Sequence, residues 1–328
     1  MLRFRITDRY RKKTKADFLG DLMKLSADDI APLPPKKPKS RAQIVSTAVT
    51  IAVLLLCAAV FVYSVTQMVI TLIAHNEAKQ LYEGLAVDFF ASAQGSSGSP
   101  VPLSQGEASL PLPDISVKRQ PSDREDAGTV HNADFERIKA QLYALSENNP
   151  DTYGWLTVEG TQINYPVVQA ADNDYYLNRS FQKKYLPYGA IYVDFVCRRN
   201  VAENYNTVIY GHNVTSDGSM FNGVTDFLDP DFFNEHDEIK LYTSDGIFVY
   251  EVFAIYETDY GYHYRKTDFT SNEQFGEYIN EMQSNSIWQK EGMDLTGEDR
   301  MITLSTCTSS LFTTRRYALQ GRLVRVEK

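Results

Sequence analysis

Three hydrophobic patterns follow one another along the chain. Between positions 44 and 74 no charged residue occurs, and most side chains are apolar or small. Because about 20 apolar residues in an α-helix cross the ~30 Å hydrocarbon core of a bilayer, this run predicts a membrane-spanning helix. A cleaved signal peptide is the alternative. It fits less well, because 43 residues precede the run and the run exceeds the usual apolar region of a leader.

The second pattern covers residues 75–132. Residues 76–92 continue with helical character, whereas residues 93–130 are rich in Ser, Gly and Pro and have no apolar periodicity. This composition is typical of a linker. We therefore expect a stalk between the span and the part of the chain that folds.

The third pattern, over residues 133–328, is that of a domain built from short strands. Asp134 is a candidate N-cap for a helix that ends before Asn149, and a second helix is predicted at 272–284. Because helices do not alternate with strands, we predict a mainly β fold, a closed or nearly closed barrel with helical additions, rather than a parallel α/β sheet. Eight runs rich in β-branched and aromatic residues are the predicted strands: 155–158, 163–168, 190–194, 207–210, 239–242, 247–256, 301–306 and 317–326.

Charge is distributed unevenly over these segments. Residues 1–43 carry 12 Lys or Arg and 5 Asp or Glu, so that the rest of the chain, with a total net charge of −9, is strongly acidic. An acidic folded part excludes a simple nucleic-acid binder. The positive-inside rule assigns 1–43 to a basic cytoplasmic tail, 44–74 to the transmembrane helix, 75–132 to an extracellular stalk and 133–328 to an extracellular domain.

Candidate chemistry is concentrated at the ends of three predicted strands. Cys307 ends the run 301–306, His212 follows the run 207–210, and Arg316 opens the last strand. A thiolate is a strong nucleophile, an imidazole can carry protons, and a guanidinium stays charged and can stabilise an oxyanion. From residue types alone, a buried structural cysteine and a structural histidine remain the commoner alternatives.

The cysteine and histidine content indicates neither a disulfide framework nor a metal site. Three cysteines cannot build a disulfide scaffold, and with five scattered histidines they show no zinc-ligand spacing. We expect Cys197 to be a packed strand-end residue. The sequence predicts no metal site and no cofactor.

Three motifs occur in order along residues 133–328: Gly211-His212-Asn213, Thr303-Leu304-Ser305-Thr306-Cys307 and Arg316-Tyr317-Ala318-Leu319. Together they resemble the signature of the sortases, the membrane-anchored cysteine transpeptidases of Gram-positive bacteria. Residues 173–177 (Asn-Asp-Tyr-Tyr-Leu) and 218–221 (Gly-Ser-Met-Phe) are similar to the class B branch of that family.

The resemblance implies a fold, a reaction and a set of residues. The fold is an eight-stranded sortase-type β-barrel with an N-terminal helix and one long helix before the catalytic strand. The reaction is attack by Cys307 on the threonine carbonyl of a sorting signal, with release of the C-terminal part and formation of a thioacyl enzyme. His212 matches the acid/base histidine, and Arg316 matches the family's arginine better than Arg315 does. Ser305, Thr306, Tyr210 and Leu177 would lie along the substrate groove.

The implied partners are secreted surface proteins that bear a sorting signal, an accepting amine and the membrane. The amine is that of a peptidoglycan precursor or, in pilus assembly, a pilin lysine, and the sequence does not decide between them. An L,D-transpeptidase is disfavoured because its Ser-His-Gly run is missing, and a non-enzymatic surface adaptor is the remaining alternative. One departure from some class B members is Ser309, which stands where they have an acidic residue.

Overall fold

The computed structural model describes residues 4–6, 30–32, 40–91, 129–290, 292–308 and 314–328. The chain divides into two compact units, residues 1–68 and 69–328. In the first unit Phe4–Ile6 pairs antiparallel with Ile30–Pro32. Outside the described residues lie 1–3, 7–29 and 33–39 of the predicted tail, 92–128 of the predicted stalk, and Ser309.

One long helix, α1, covers Arg41–Ala91. It is long and apolar enough to cross a membrane, since no charged residue occurs between 44 and 74. Its apolar side chains between 44 and 73 are largely exposed, as expected where lipid rather than protein surrounds a helix. The predicted continuation of helical structure beyond residue 75 is confirmed as far as Ala91.

Eight strands form the barrel, as the sequence predicts. Their bounds lie close to the eight predicted runs, although the first strand begins at Thr152 rather than at 155 and the sixth ends at Asp259 rather than at 256. The strands are β1 (Thr152–Val158), β2 (Asn164–Val168), β3 (Ile191–Val193), β4 (Asn206–Tyr210), β5 (Glu238–Thr243), β6 (Gly246–Asp259), β7 (Met301–Cys307) and β8 (Arg315–Glu327).

The strands are hydrogen-bonded in the order β6-β5-β1-β2-β3-β4-β7-β8, and β6 pairs with β8 to close the sheet. Two neighbouring pairs are parallel, β2 with β3 and β4 with β7, and the other barrel pairs are antiparallel. Closure leaves none of these eight strands as an open edge. Thr129–Val130 adds a short parallel pairing to the end of β8.

In the described part of residues 129–328 three α-helices accompany the barrel strands. They are α2 (Phe135–Asn148), α3 (Pro230–Glu235) and α4 (Asn272–Ser284), so the expected N-terminal helix and the helix before the Cys307 strand are both present. Asp134 directly precedes α2 as predicted, but its side chain makes no capping hydrogen bond. Its backbone N–H donates instead to Asn132 Oδ1 (2.9 Å).

The last turns of α1 pack against the barrel. Phe89 is 2% exposed and stacks on Trp155 with ring centroids 4.4 Å apart. The buried Tyr82 hydroxyl donates to the carbonyl of Gly189 (3.2 Å) and accepts from the N–H of Phe181 (3.2 Å). These contacts make the helical part of the predicted stalk a packed component of the folded unit. The boundary between stalk and catalytic domain at residue 132 stays a prediction.

We predict that Phe89 is a major anchor of α1. Phe89→Ala should lower the free energy of unfolding by about 3–5 kcal/mol, because it removes a buried aromatic ring and leaves a cavity. Val87→Ala on the same helix is the control, since Val87 is 64% exposed. Urea denaturation of the full chain in detergent micelles, followed by tryptophan fluorescence, measures both. Equal stability of the two variants would contradict a structural role for this helix.

Candidate active site

The parallel pairing of β4 and β7 brings His212 and Cys307 to the same end of the barrel. Tyr210 lies opposite Ser305 in this pair, and the N–H of Gly211 donates to the Ser305 carbonyl (3.2 Å). His212 lies two residues beyond Tyr210, and Cys307 lies two residues beyond Ser305. Because neighbouring parallel strands run in the same direction, their C-terminal ends lie at the same end of the barrel. The imidazole and the thiol therefore lie at the same rim.

Arg316 reaches the same place through the antiparallel pairing of β7 with β8. It lies directly opposite Cys307 in the register, and paired residues share one face of a sheet. The neighbouring Arg315 points to the other face, because side chains alternate along a strand. There its Nε donates to Glu257 Oε1 (2.7 Å). The Arg316 guanidinium lies 5.3 Å from the centre of the Tyr260 ring.

The imidazole of His212 is held in a defined orientation. Its Nε2 is 2.9 Å from the carbonyl oxygen of Leu177. A carbonyl can only accept, so Nε2 carries a hydrogen and Nδ1 is left to gain and lose a proton. Burial and the nearby Arg316 charge lower the pKa of His212, against the opposing effect of the Leu177 hydrogen bond. A lowered pKa favours the neutral form of the imidazole.

The four predicted groove residues differ in accessibility. The Leu177 side chain is exposed, and Tyr210 is half-buried. Ser305 and Thr306 are buried, and the Ser305 hydroxyl is hydrogen-bonded to Tyr264 (2.8 Å). Among the described residues the Thr306 hydroxyl has no hydrogen-bond partner. Three of the four thus lie in the rim strands β4 and β7, and Leu177 lies in the 3-10 helix Tyr175–Asn178, but the side chains of only Leu177 and Tyr210 are accessible.

The loop 260–265 covers this face of β7, and its Arg265 is a residue that the sequence analysis did not single out. Arg265 lies 4.0 Å from the centre of the Tyr260 ring and donates from Nη1 to the Tyr210 hydroxyl (3.2 Å). Tyr210 in turn donates to Asp194 Oδ2 (2.6 Å). The run of alternating tyrosines from 260 to 264 was the available signal, but nothing in its spacing indicates which strand it covers.

A second residue missed at the sequence level is Asn213. It directly follows His212, and its side-chain amide donates to the carbonyl of Cys307 (3.1 Å). Its amide oxygen accepts from Asn222 Nδ2 (2.7 Å). The motif Gly211-His212-Asn213 contains this residue, yet residue type alone does not indicate that it contacts the cysteine.

Comparison with known proteins decides the family. The model of the sortase domain matches residues 156–324. This chain belongs to the sortase family. It is therefore a cysteine transpeptidase by family, and a non-enzymatic adaptor is excluded.

The sortase is similar to several sortases B. Sortase B of Listeria monocytogenes is 36% identical over 203 residues, which are 61% of this chain and 80% of that protein. The structure of a Staphylococcus aureus sortase B-substrate complex is 31% identical, with a TM-score of 0.53, and the match covers 57% of this chain and 85% of that one. A sortase B complexed with triglycine is also 31% identical, with a TM-score of 0.53 and coverage of 57% and 86%.

The other cysteine of the sortase domain has a different environment. Cys197 is buried, with its Sγ 3.7 Å from the carbonyl oxygen of Asn206. Burial raises the pKa of the Cys197 thiol to about 12. A thiol that stays protonated in an apolar site is a poor nucleophile. This agrees with the expectation that Cys197 is a packing residue, whereas Cys307 is half-buried at the rim.

We predict that Arg316, and not Arg315, lowers the pKa of His212. Its positive charge disfavours a second positive charge on the imidazole, so Arg316→Gln should raise the His212 pKa. Arg315→Gln is the matched control and should leave it unchanged, since Arg315 pairs with Glu257 on the opposite face. The His212 pKa is measured by NMR titration of its ring proton, whose signal is assigned because it is missing in His212→Gln. A larger shift in the Arg315 variant would contradict the assignment.

Proposed function

We propose that this sortase cleaves a C-terminal sorting signal of secreted proteins and joins them to an amine of peptidoglycan. The observation that carries the proposal is the register of three strand ends, in which Cys307 lies opposite Arg316 and next to the strand that leads to His212. A nucleophile, a proton carrier and a fixed positive charge in one place are the requirements of acyl transfer.

In the first half-reaction Cys307 Sγ attacks the carbonyl carbon of the sorting-signal threonine. His212 Nδ1 takes the thiol proton as the C–S bond forms, and the Arg316 guanidinium stabilises the negative charge on the carbonyl oxygen. His212 then gives the proton to the leaving nitrogen as the C–N bond breaks. The products are a thioacyl enzyme and the C-terminal fragment with a free amine.

In the second half-reaction the accepting amine attacks the thioester carbon. His212 accepts a proton from the incoming nitrogen and returns it to the sulfur as the C–S bond breaks, so the thiol is regenerated. A peptidoglycan precursor is the favoured acceptor, and the sortase B complexed with triglycine supports an amine acceptor of that type. A pilin lysine is the alternative, because the same three residues would serve either amine.

Substrate contacts are proposed along the rim that holds the reacting groups. Leu177 and Tyr210 have accessible side chains and are the favoured contacts, whereas the buried Ser305 and Thr306 are weaker candidates. The relative that was solved as a sortase B-substrate complex supports a groove for a sorting signal.

The proposed topology places the reaction outside the cell. Residues 1–43 form the basic cytoplasmic tail, 44–74 the anchor, 75–132 the connecting segment and 133–328 the catalytic domain. The asymmetry of basic residues before the span supports this orientation. An anchored enzyme meets secreted substrates that are held at the same membrane face at a high effective concentration.

We predict that Cys307→Ala abolishes both cleavage and transfer. The full chain in detergent micelles is incubated with LPxTG-like or NPxTx-like peptides and an amine, and the products are separated by chromatography. His212→Ala and Arg316→Ala should each lower kcat by at least about 100-fold, since they remove proton transfer and oxyanion stabilisation. Cys197→Ala is the matched control and should retain activity. Cleavage at the normal rate by Cys307→Ala would refute the proposal.

A protease-protection experiment tests the topology. With epitopes at both ends of the full chain, a membrane-impermeant protease added to cells without a wall should remove the C-terminal epitope and spare the N-terminal one. The physical reason is that translocating the basic residues of the tail is disfavoured. Protection of the C-terminal epitope instead would place the domain inside the cell.

A further inference from the structure

The backbone ladder between β4 and β7 ends just before the two candidate reacting residues. Its last bond runs from the N–H of Gly211 to the carbonyl of Ser305 (3.2 Å). In a parallel ladder the donors recur every second residue, so the next would be the N–H of Asn213 to the carbonyl of Cys307. The Asn213 backbone turns away instead and pairs with Met220 in a short ribbon. The chain leaves the sheet at this point.

The side chain of Asn213 takes the place of the missing ladder donor. Its Nδ2 donates to the Cys307 carbonyl oxygen (3.1 Å), so the β7 strand remains tied to the His212 loop after the backbones diverge. The carbonyl of His212 accepts from the N–H of Phe221 (2.8 Å), which fixes the other side of this loop. One amide therefore joins the residue next to the imidazole to the residue that bears the thiol.

A third residue determines which way the Asn213 amide faces. Asn222 Nδ2 donates to Asn213 Oδ1 (2.7 Å). With Oδ1 occupied as an acceptor, Nδ2 is directed at Cys307. Two consecutive hydrogen bonds therefore link Asn222 to Asn213 and Asn213 to the Cys307 carbonyl, and each donor meets an acceptor. Asn213 is half-buried, so solvent competes only weakly with this arrangement.

We propose that Asn213 is a positioning residue that fixes Cys307 relative to His212. It contacts the backbone of the nucleophile and not the substrate, so it acts on the alignment of the thiol and the imidazole. Small misplacements of reacting groups lower the rate of the chemical step more than they change substrate binding. This inference rests on the proposed function, in which these two residues exchange a proton.

Two variants of the full chain in detergent micelles test the role. Asn213→Ala removes the donor. Asn213→Asp keeps the size of the side chain and the acceptor for Asn222, but it turns a carboxylate oxygen towards the Cys307 carbonyl. We expect kcat for cleavage to fall by about tenfold or more in Asn213→Ala and further in Asn213→Asp, with KM changed less than about twofold.

Asn280→Ala is the matched control, because the Asn280 amide also donates to backbone carbonyls, those of Gly276 and Leu295. It should leave kcat unchanged. Asn213→Asp with a wild-type kcat would overturn the inference, and so would a loss that appears only in KM. If the wild-type chain itself does not cleave sorting-signal peptides, the proposed function fails. If wild type cleaves and Asn213→Asp cleaves equally well, only the inference fails.

Discussion

The site depends on the register of strand β7 with its two neighbours. Parallel pairing of β7 with β4 places the C-terminal ends of these two strands at the same end of the barrel. Antiparallel pairing of β7 with β8 places the beginning of β8 there as well. Because side chains alternate along a strand, a slip of one residue would turn Cys307 to the opposite face. The same slip would exchange Arg316 for Arg315. The chemistry of the molecule is therefore a consequence of which residues face each other across three strands.

A buried chain of polar side chains holds this register. The Thr303 hydroxyl of β7 donates to Asn206 Oδ1 of β4 (2.9 Å) and accepts from Gln320 Nε2 of β8 (3.1 Å). All three residues are fully buried. Any other register would leave buried polar groups without partners, at a cost of about 1–3 kcal/mol for each. The adjacent apolar residues Ile302 and Leu304 fill the barrel interior, so both faces of β7 favour one alignment.

Much of this arrangement could be predicted from the sequence. The eight strand runs and both flanking helices follow from local periodicity, and the positions of Cys307 and His212 at strand ends follow from where those runs stop. The packing of α1 on the barrel could not be predicted, because the helical spacing of Tyr82, Leu85 and Phe89 marks an apolar face but does not indicate which surface covers it. The burial of Ser305 could not be predicted either, since it depends on Tyr264, 41 residues away. Asn213 was missed for a similar reason, because its partner carbonyl is 94 residues away.

We infer that these three strand ends assemble one acyl-transfer site around a single sulfur. The most direct measurement is peptide mapping by mass spectrometry of the full chain, quenched in acid during turnover of a sorting-signal peptide without added amine. We expect Cys307 to carry the added mass of the N-terminal peptide fragment, attached as a thioester. An acyl adduct on Cys197 or Cys57, or cleavage during which no cysteine ever carries the fragment, would contradict it.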